Sequence, residues 1–126
     1  DVEDARLAAN SGADALIVSN HGGRQLDGAP SSVAALPAIA EAVGSEIEVW
    51  MDGGIRSGQD VLKARALGAR GTLIGRSFLY GLGAYGQAGV TRALQIIQKE
   101  MDITMAFCGR TNIDDVDSSI LLPGTF

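Results

Sequence analysis

The chain has 126 residues, of which 46% are hydrophobic and 5% aromatic, and this size predicts one folded domain. Its 15 acidic and 10 basic residues give a net charge of −5, which argues against nucleic acid as a partner and against a polybasic membrane anchor. Cys108 is the only cysteine, which excludes an internal disulfide and a cysteine-based zinc cluster and indicates a reducing compartment.

The first part of the chain predicts a helix, a strand and a second helix. The opening "DVEDARLAANSG" is helix-like and does not start with Met, so we expect a piece of a longer protein. Residues 15–20, "ALIVSN", are mostly apolar without strict alternation, which is typical of a buried parallel strand. A helix is predicted over 31–44, from a serine to a glycine, with Pro37 marking a kink or a later start.

The same pattern then repeats. Strands are predicted at 47–52, "IEVWMD", and at 71–76, "GTLIGR", with a helix over 57–68 between them. "GADALIVS" at residue 12 resembles "GARGTLIG" at residue 68, and two strand–helix units lie between these points. The length of each unit is close to the roughly 31 residues per unit of an eight-unit barrel. An open doubly wound sheet remains an alternative at this point.

The last part of the chain predicts a core-packed helix and a short terminal helix. In residues 89–109 one helical stripe is apolar, comprising Val90, Leu94, Ile97, Met101, Met105 and Cys108. Because Cys108 is on this stripe, we expect a buried, inert thiol and not a nucleophile. A short helix is predicted within "TNIDDVDSSILLPGTF".

Each predicted strand is followed by glycine and an arginine: Arg24 in "NHGGR", Arg56 in "DGGIR" and Arg76 in "IGR". The carboxyl ends of parallel strands lie together, so we expect these guanidinium groups to converge on one face. Glycines let backbone N–H groups approach an anion, and arginine matches carboxylate or phosphate with two parallel donors. Asp52 either holds the turn after its strand or takes part in the site.

His21 is the only histidine, and it directly follows the first predicted strand. A lone loop histidine is more often structural, but this one lies beside Gly22, Gly23 and Arg24. Imidazole can act as a base at neutral pH while Arg24 grips a substrate carboxylate. No second histidine or acid pair has metal-ligand spacing, and no G-x-S-x-G elbow is present. Base catalysis on a small carboxylate substrate is therefore the favoured hypothesis.

The motifs "SNHGGRQLDG", "DGGIRSGQDVLKARALGA" and "LIGRSFLY", in this order, resemble the FMN-dependent α-hydroxy acid dehydrogenase and oxidase family, and "FLYGLGAYGQAGV" is most similar to its bacterial L-lactate dehydrogenase branch. The resemblance implies the C-terminal portion of a TIM (β/α)8 barrel, strands six to eight, with residues 1–126 forming part of a single FMN-binding domain. It also implies a role for each matching residue. His21 would be the catalytic base and Arg24 the substrate-carboxylate ligand, and the FMN contacts would be Ser19, Asp52, Gly53, Gly54, Ile55, Arg56, Gly75 and Arg76.

The implied reaction is oxidation of a small L-2-hydroxy acid, L-lactate first, to the 2-oxo acid, with electrons passing to FMN and then to a quinone, another respiratory acceptor or oxygen. The resemblance further implies the missing N-terminal part of the barrel as a partner, without which we expect the isolated fragment to be inactive. It implies a homotetramer and a cytoplasmic location, including the cytoplasmic face of the inner membrane through contacts made by absent segments.

Three other functions compete with this one. A glycolate- or mandelate-type oxidase would use the same residues, because the substrate side-chain pocket is largely outside this chain. The inosine-monophosphate dehydrogenase class shares Gly-Gly-Arg phosphate loops but works through a loop cysteine, whereas Cys108 is on a predicted helix. In a non-catalytic phosphate-binding barrel, His21 would be incidental.

Overall fold

Three parallel strands alternate with helices in the computed structural model, which describes residues 1–124. The elements in chain order are α1 (Val2–Asn10), β1 (Ala15–Val18), α2 (Ser32–Val43), β2 (Glu48–Met51), α3 (Gly58–Ala66), β3 (Gly71–Thr72) and α4 (Arg76–Phe107). Short 3-10 turns lie at His21–Gly23, Ile113–Asp115 and Ser118–Ile120. The predicted α/β class with parallel strands is confirmed, while the last two residues of the predicted domain lie outside the described part.

The order of the strands in the sheet follows their order in the chain. β2 lies between β1 and β3; Val18 of β1 pairs with Met51, and Trp50 pairs with Gly71 of β3. In a barrel each strand pairs with the next one along the chain, whereas a doubly wound sheet reverses its strand order at a switch point. The sequential order of the three strands is that of a portion of a barrel, and it is also that of one half of a doubly wound sheet.

The main core lies between the sheet and α2. Leu36, Ile39 and Val43 recur on one face of α2 and are at most 6% exposed, and they belong to the same buried cluster as Val49 and Met51 of β2. Burial of each such side chain contributes about 1.5–3 kcal/mol. This packing fixes the start of α2 against the carboxyl ends of the strands.

The strands are shorter than predicted, and β3 most of all. Leu73 still donates its N–H to the Met51 carbonyl at 2.9 Å, but the chain then leaves the sheet, because Gly75 is the N-cap of α4. A later start of α2 at Pro37 was also predicted wrongly, since α2 runs from Ser32 to Val43 with Pro37 inside it. The alternative of a kink at Pro37 stays a prediction. Proline removes one helical hydrogen bond, and the buried residues on either side of it hold the helix in place.

α4 begins at Arg76, well before the predicted start at residue 89, and bends at Tyr85 and Gly86, whose φ values are −144° and 58°. On either side of this kink the backbone of Gly81 touches that of Gly89. The predicted apolar stripe packs only in its second half.

Met105 is buried with Leu62 of α3, and Met101 and Cys108 pack beside them. Leu94 is 51% exposed, however, and the Cys108 thiol is only half-buried. The prediction of a stripe packed throughout was therefore wrong, because α3 reaches only the later part of α4, where Gly58 touches the backbone at Met101. Within residues 1–124, no helix combines the length and apolar character needed to cross a membrane.

Candidate active site

A cleft of about 350 Å³ lies at the carboxyl ends of the three strands. This volume falls within the roughly 300–1,000 Å³ range of small-molecule sites. It is lined by the loops that follow β1, β2 and β3 and by the start of α4, namely His21, Gly22, Arg24, Asp52, Gly53, Gly54, Ile55, Arg56, Leu73, Ile74, Gly75, Arg76 and Leu79.

The loop after β1 has an unusual backbone conformation. His21 has a φ of 54°, and Gly22 and Gly23 follow at 67° and 69°, so three consecutive residues are left-handed. A positive φ is uncommon for a residue with a side chain, although histidine tolerates it better than most. The turn is held by the Ser19 hydroxyl, which accepts the His21 N–H at 3.1 Å, and His21 lines the cleft.

The loop after β2 requires glycine at its second position. Gly53 has a φ of 88°, and a Cβ there would be 3.0 Å from the Ser32 hydroxyl oxygen and 3.1 Å from Asn20 Oδ1. Asp52, just before it, donates its N–H to the Val18 carbonyl at 3.1 Å. Its Oδ1 is buried and has no hydrogen-bond partner among residues 1–124, although the residue lines the cleft. A buried acceptor in this state needs a donor from a ligand or from water.

Two helices begin at the cleft, and their amino-terminal ends are capped differently. At α3, Ser57 and Asp60 form a capping box, and Asp60 also accepts the Arg56 N–H at 2.9 Å. At α4, the N-cap is Gly75, and no side chain in the described part of the chain caps the helix. Because the first N–H groups of a helix lack intrahelical partners, the start of α4 is suited to an anion.

Three arginines give the cleft a positive charge within an acidic protein. Among the ion pairs in residues 1–124, none involves Arg24, Arg56 or Arg76, and all three side chains are exposed. Arg76 makes one long contact, 3.5 Å from Nη2 to the Gly22 carbonyl, which joins the β3 end to the β1 end. Asp52 is the one carboxyl among the lining residues, so the cleft favours anionic ligands.

All the predicted site residues except Ser19 line this one cleft. Ser19 contacts the His21 backbone, and its predicted flavin contact stays a prediction. Sequence reasoning missed the apolar wall of Leu73, Ile74 and Leu79, for which their position after β3 was the available signal. In the described part of the chain, no group of three His, Cys, Asp or Glu side chains is placed to hold a metal ion.

Comparison with known proteins places these features in a family. L-lactate dehydrogenase from Caulobacter sp. (strain K31) is 56% identical over 121 residues, which are 96% of this chain and 32% of that protein. Pre-mycofactocin synthase from Mycolicibacterium smegmatis is 52% identical over 126 residues, covering 99% of this chain and 32% of that protein. The chain thus spans about a third of the length of these relatives.

Solved structures agree with the sequence comparisons. A crystal structure of mandelate oxidase with 3,3-difluoro-2-hydroxy-3-phenylpropionic acid matches with a TM-score of 0.90 and 47% identity, over 94% of this chain and 36% of that one. The family model described as FMN-dependent dehydrogenase matches residues 1–123. On these matches, and with the arginine-lined cleft at its strand ends, the chain belongs to the family of FMN-dependent dehydrogenases.

Proposed function

We propose that this chain supplies the catalytic base and the phosphate site of an FMN-dependent enzyme that oxidises a small L-2-hydroxy acid, L-lactate first, to the 2-oxo acid. The main observation behind the proposal is that one cleft is lined by the only histidine and by three arginines that form no ion pair with any described residue. The names of the relatives, L-lactate dehydrogenase and mandelate oxidase, support the same reaction class.

The residues of the cleft fit FMN. Arg56, Arg76 and the start of α4 would hold the phosphate, because the two arginines and the Gly75 N-cap of α4 line the same cleft. The unpartnered Oδ1 of Asp52 would accept a hydrogen bond from a ribityl hydroxyl. Leu73 and Leu79, both partly exposed in the cleft, offer an apolar wall for the ring system.

Arg24 would bind the substrate carboxylate, since it lines the cleft and makes no ion pair with another described residue. Bidentate binding would orient the α-carbon and its hydroxyl toward His21, which is three residues earlier on the same loop. Bound FMN supplies a two-electron acceptor. The imidazole then takes one proton from the substrate, either from the hydroxyl or from the α-carbon, and becomes imidazolium.

The remaining parts of the barrel would complete the site. In the described structure β1 and β3 each pair only with β2, and Ile17 and Leu73 are 52% and 40% exposed. We propose that further strands cover these edges, because open edges and exposed apolar side chains destabilise an isolated sheet. The homotetramer, the contact with the inner membrane and the cytoplasmic location stay predictions from the resemblance.

Anaerobic flavin bleaching of the full-length protein tests the proposal. L-lactate, glycolate and mandelate are mixed separately with the FMN-loaded protein, the loss of the oxidised flavin absorbance is followed, and oxygen or a quinone is then added. We expect rapid bleaching by L-lactate and recovery with one acceptor. If FMN binds but no 2-hydroxy acid bleaches it, the reaction class is wrong, and a substrate of another kind or a non-catalytic role takes its place.

A further inference from the structure

Three separate segments meet at the hydroxyl of Ser32, the first residue of α2. Ser32 is 4% exposed, and its Oγ accepts the N–H of Asn20 at 3.2 Å, across 12 positions of the chain. The α-carbon of Gly53 faces the same atom, since a Cβ there would lie 3.0 Å from it. The hydroxyl therefore links the start of α2 to the loop after β1 by a hydrogen bond and lies next to the loop after β2.

The position of Asn20 makes this contact relevant to the chemistry. Asn20 directly precedes His21, and its own carbonyl accepts the Gly23 N–H at 3.0 Å. Its side-chain amide donates to the Pro30 carbonyl at 3.3 Å, which ties the far end of the same loop to this point. The left-handed turn that carries the imidazole thus begins at a residue whose backbone N–H is anchored to a buried hydroxyl.

Ser32 is not needed to cap its own helix. The N-cap of α2 is Ser31, whose side chain makes no capping hydrogen bond, and the Ser32 hydroxyl bonds Asn20, which lies outside the helix. A serine at the N-cap bonds the first turn of its own helix, whereas the Ser32 hydroxyl, one position later, bonds a different loop. A buried hydroxyl used in this way fixes the distance between elements.

We propose that Ser32 is a positioning residue that sets the place of the His21 imidazole relative to the FMN-binding loop at Asp52–Gly53. The inference rests on the proposed function, because it concerns the group that takes the substrate proton. Without the hydroxyl, the Asn20 N–H loses its acceptor and the left-handed turn shifts. The short histidine side chain cannot compensate for a backbone shift, whereas the long Arg24 side chain can follow the substrate carboxylate.

The test compares Ser32→Ala, Ser32→Thr and the neighbouring control Ser31→Ala in full-length, FMN-loaded protein. We expect the rate of flavin reduction by saturating L-lactate, per bound FMN, to fall about 10- to 100-fold in Ser32→Ala, while KM changes by less than about threefold. Ser32→Thr, which keeps the oxygen, recovers most of the rate, and Ser31→Ala matches the parent. A rate within twofold of the parent in Ser32→Ala, an equal loss in Ser31→Ala, or no recovery in Ser32→Thr would overturn the proposal.

Hydrogen exchange of the backbone amides gives a readout that needs no substrate. In the parent apoprotein the Asn20 amide should be protected, and in Ser32→Ala it should exchange at least about tenfold faster. An unprotected Asn20 amide in the parent overturns the proposal even if no Ser32 variant folds. Absence of flavin reduction in the parent would instead count against the proposed function, and the exchange result for Ser32 would stand.

Discussion

Replacement of Asp52 by alanine should weaken FMN binding without lowering the stability of the apoprotein. The Oδ1 atom is buried and unpartnered in the described structure, and an unsatisfied buried acceptor lowers stability by about 1–3 kcal/mol. A hydrogen bond from a ligand hydroxyl to a carboxylate is worth about 1.5–3 kcal/mol. The loss of FMN affinity should therefore be about 10- to 150-fold, at about 1.4 kcal/mol for each factor of ten.

The assay is titration of full-length apoprotein with FMN, followed by quenching of flavin fluorescence, together with thermal unfolding of the apoprotein. We expect Asp52→Ala to weaken FMN binding by about 10- to 150-fold, and its apoprotein to have a melting temperature no lower than that of the parent. Asp52→Asn keeps an acceptor oxygen and should lose less than about tenfold. If Asp52→Ala binds FMN like the parent but melts several degrees lower, Asp52 serves only to hold its turn, and the reasoning is refuted.

Gly53→Ala should lower the free energy of unfolding by about 1–3 kcal/mol and Gly54→Ala by about 1 kcal/mol, because both residues have a positive φ but only Gly53 lacks room for a Cβ. Urea unfolding measures the two losses, and equal losses would contradict this explanation. The Glu100 carboxylate accepts the N–H of the first α3 residue at 3.0 Å. Glu100→Leu should therefore lower the free energy of unfolding by about 1–2 kcal/mol, and Glu100→Gln should lower it by less. A free energy of unfolding equal to that of the parent in both variants would show that the contact contributes nothing. The hydroxyl of Ser119, and after it the backbone N–H of Ser119, hold the pKa of Asp117 below its ordinary 3.8. The contact between Asp117 and Ser119 therefore stabilises the fold above pH 3.8, and this stabilisation is lost as the pH falls through the lowered pKa. Ser119→Ala should raise the pKa of Asp117 in an NMR titration, and an unchanged pKa would contradict this assignment.

The sequence predicted the elements whose causes are local. The apolar runs, the serine and glycine helix boundaries and the arginine after each strand are all short-range patterns, and they were sufficient to predict that His21 and three arginines lie on one face. The other predicted residues of the cleft were assigned only through the resemblance to a family. The class of parallel α/β fold also followed from them, because short apolar strands separated by helices have few other arrangements.

The features that were predicted wrongly or missed depend on contacts between distant residues. The end of β3 is decided by the turn into α4 at Gly75, and the partial burial of the α4 stripe is decided by where α3 reaches it. The contact between Ser32 and Asn20 has no local pattern, since a serine at the start of a helix is ordinary. Only the packing of α2 onto the sheet reveals it.

The most direct test of the central claim is single-turnover flavin reduction in a His21 variant of the full-length protein under anaerobic conditions. His21→Asn suits this test because asparagine also tolerates the left-handed backbone seen at 54°. We predict that FMN affinity stays within about threefold of the parent while the rate of reduction by L-lactate falls about 10²- to 10⁴-fold, the usual contribution of a positioned base. A variant that binds FMN and is reduced at the parent rate would contradict the assignment of His21 as the group that takes the substrate proton.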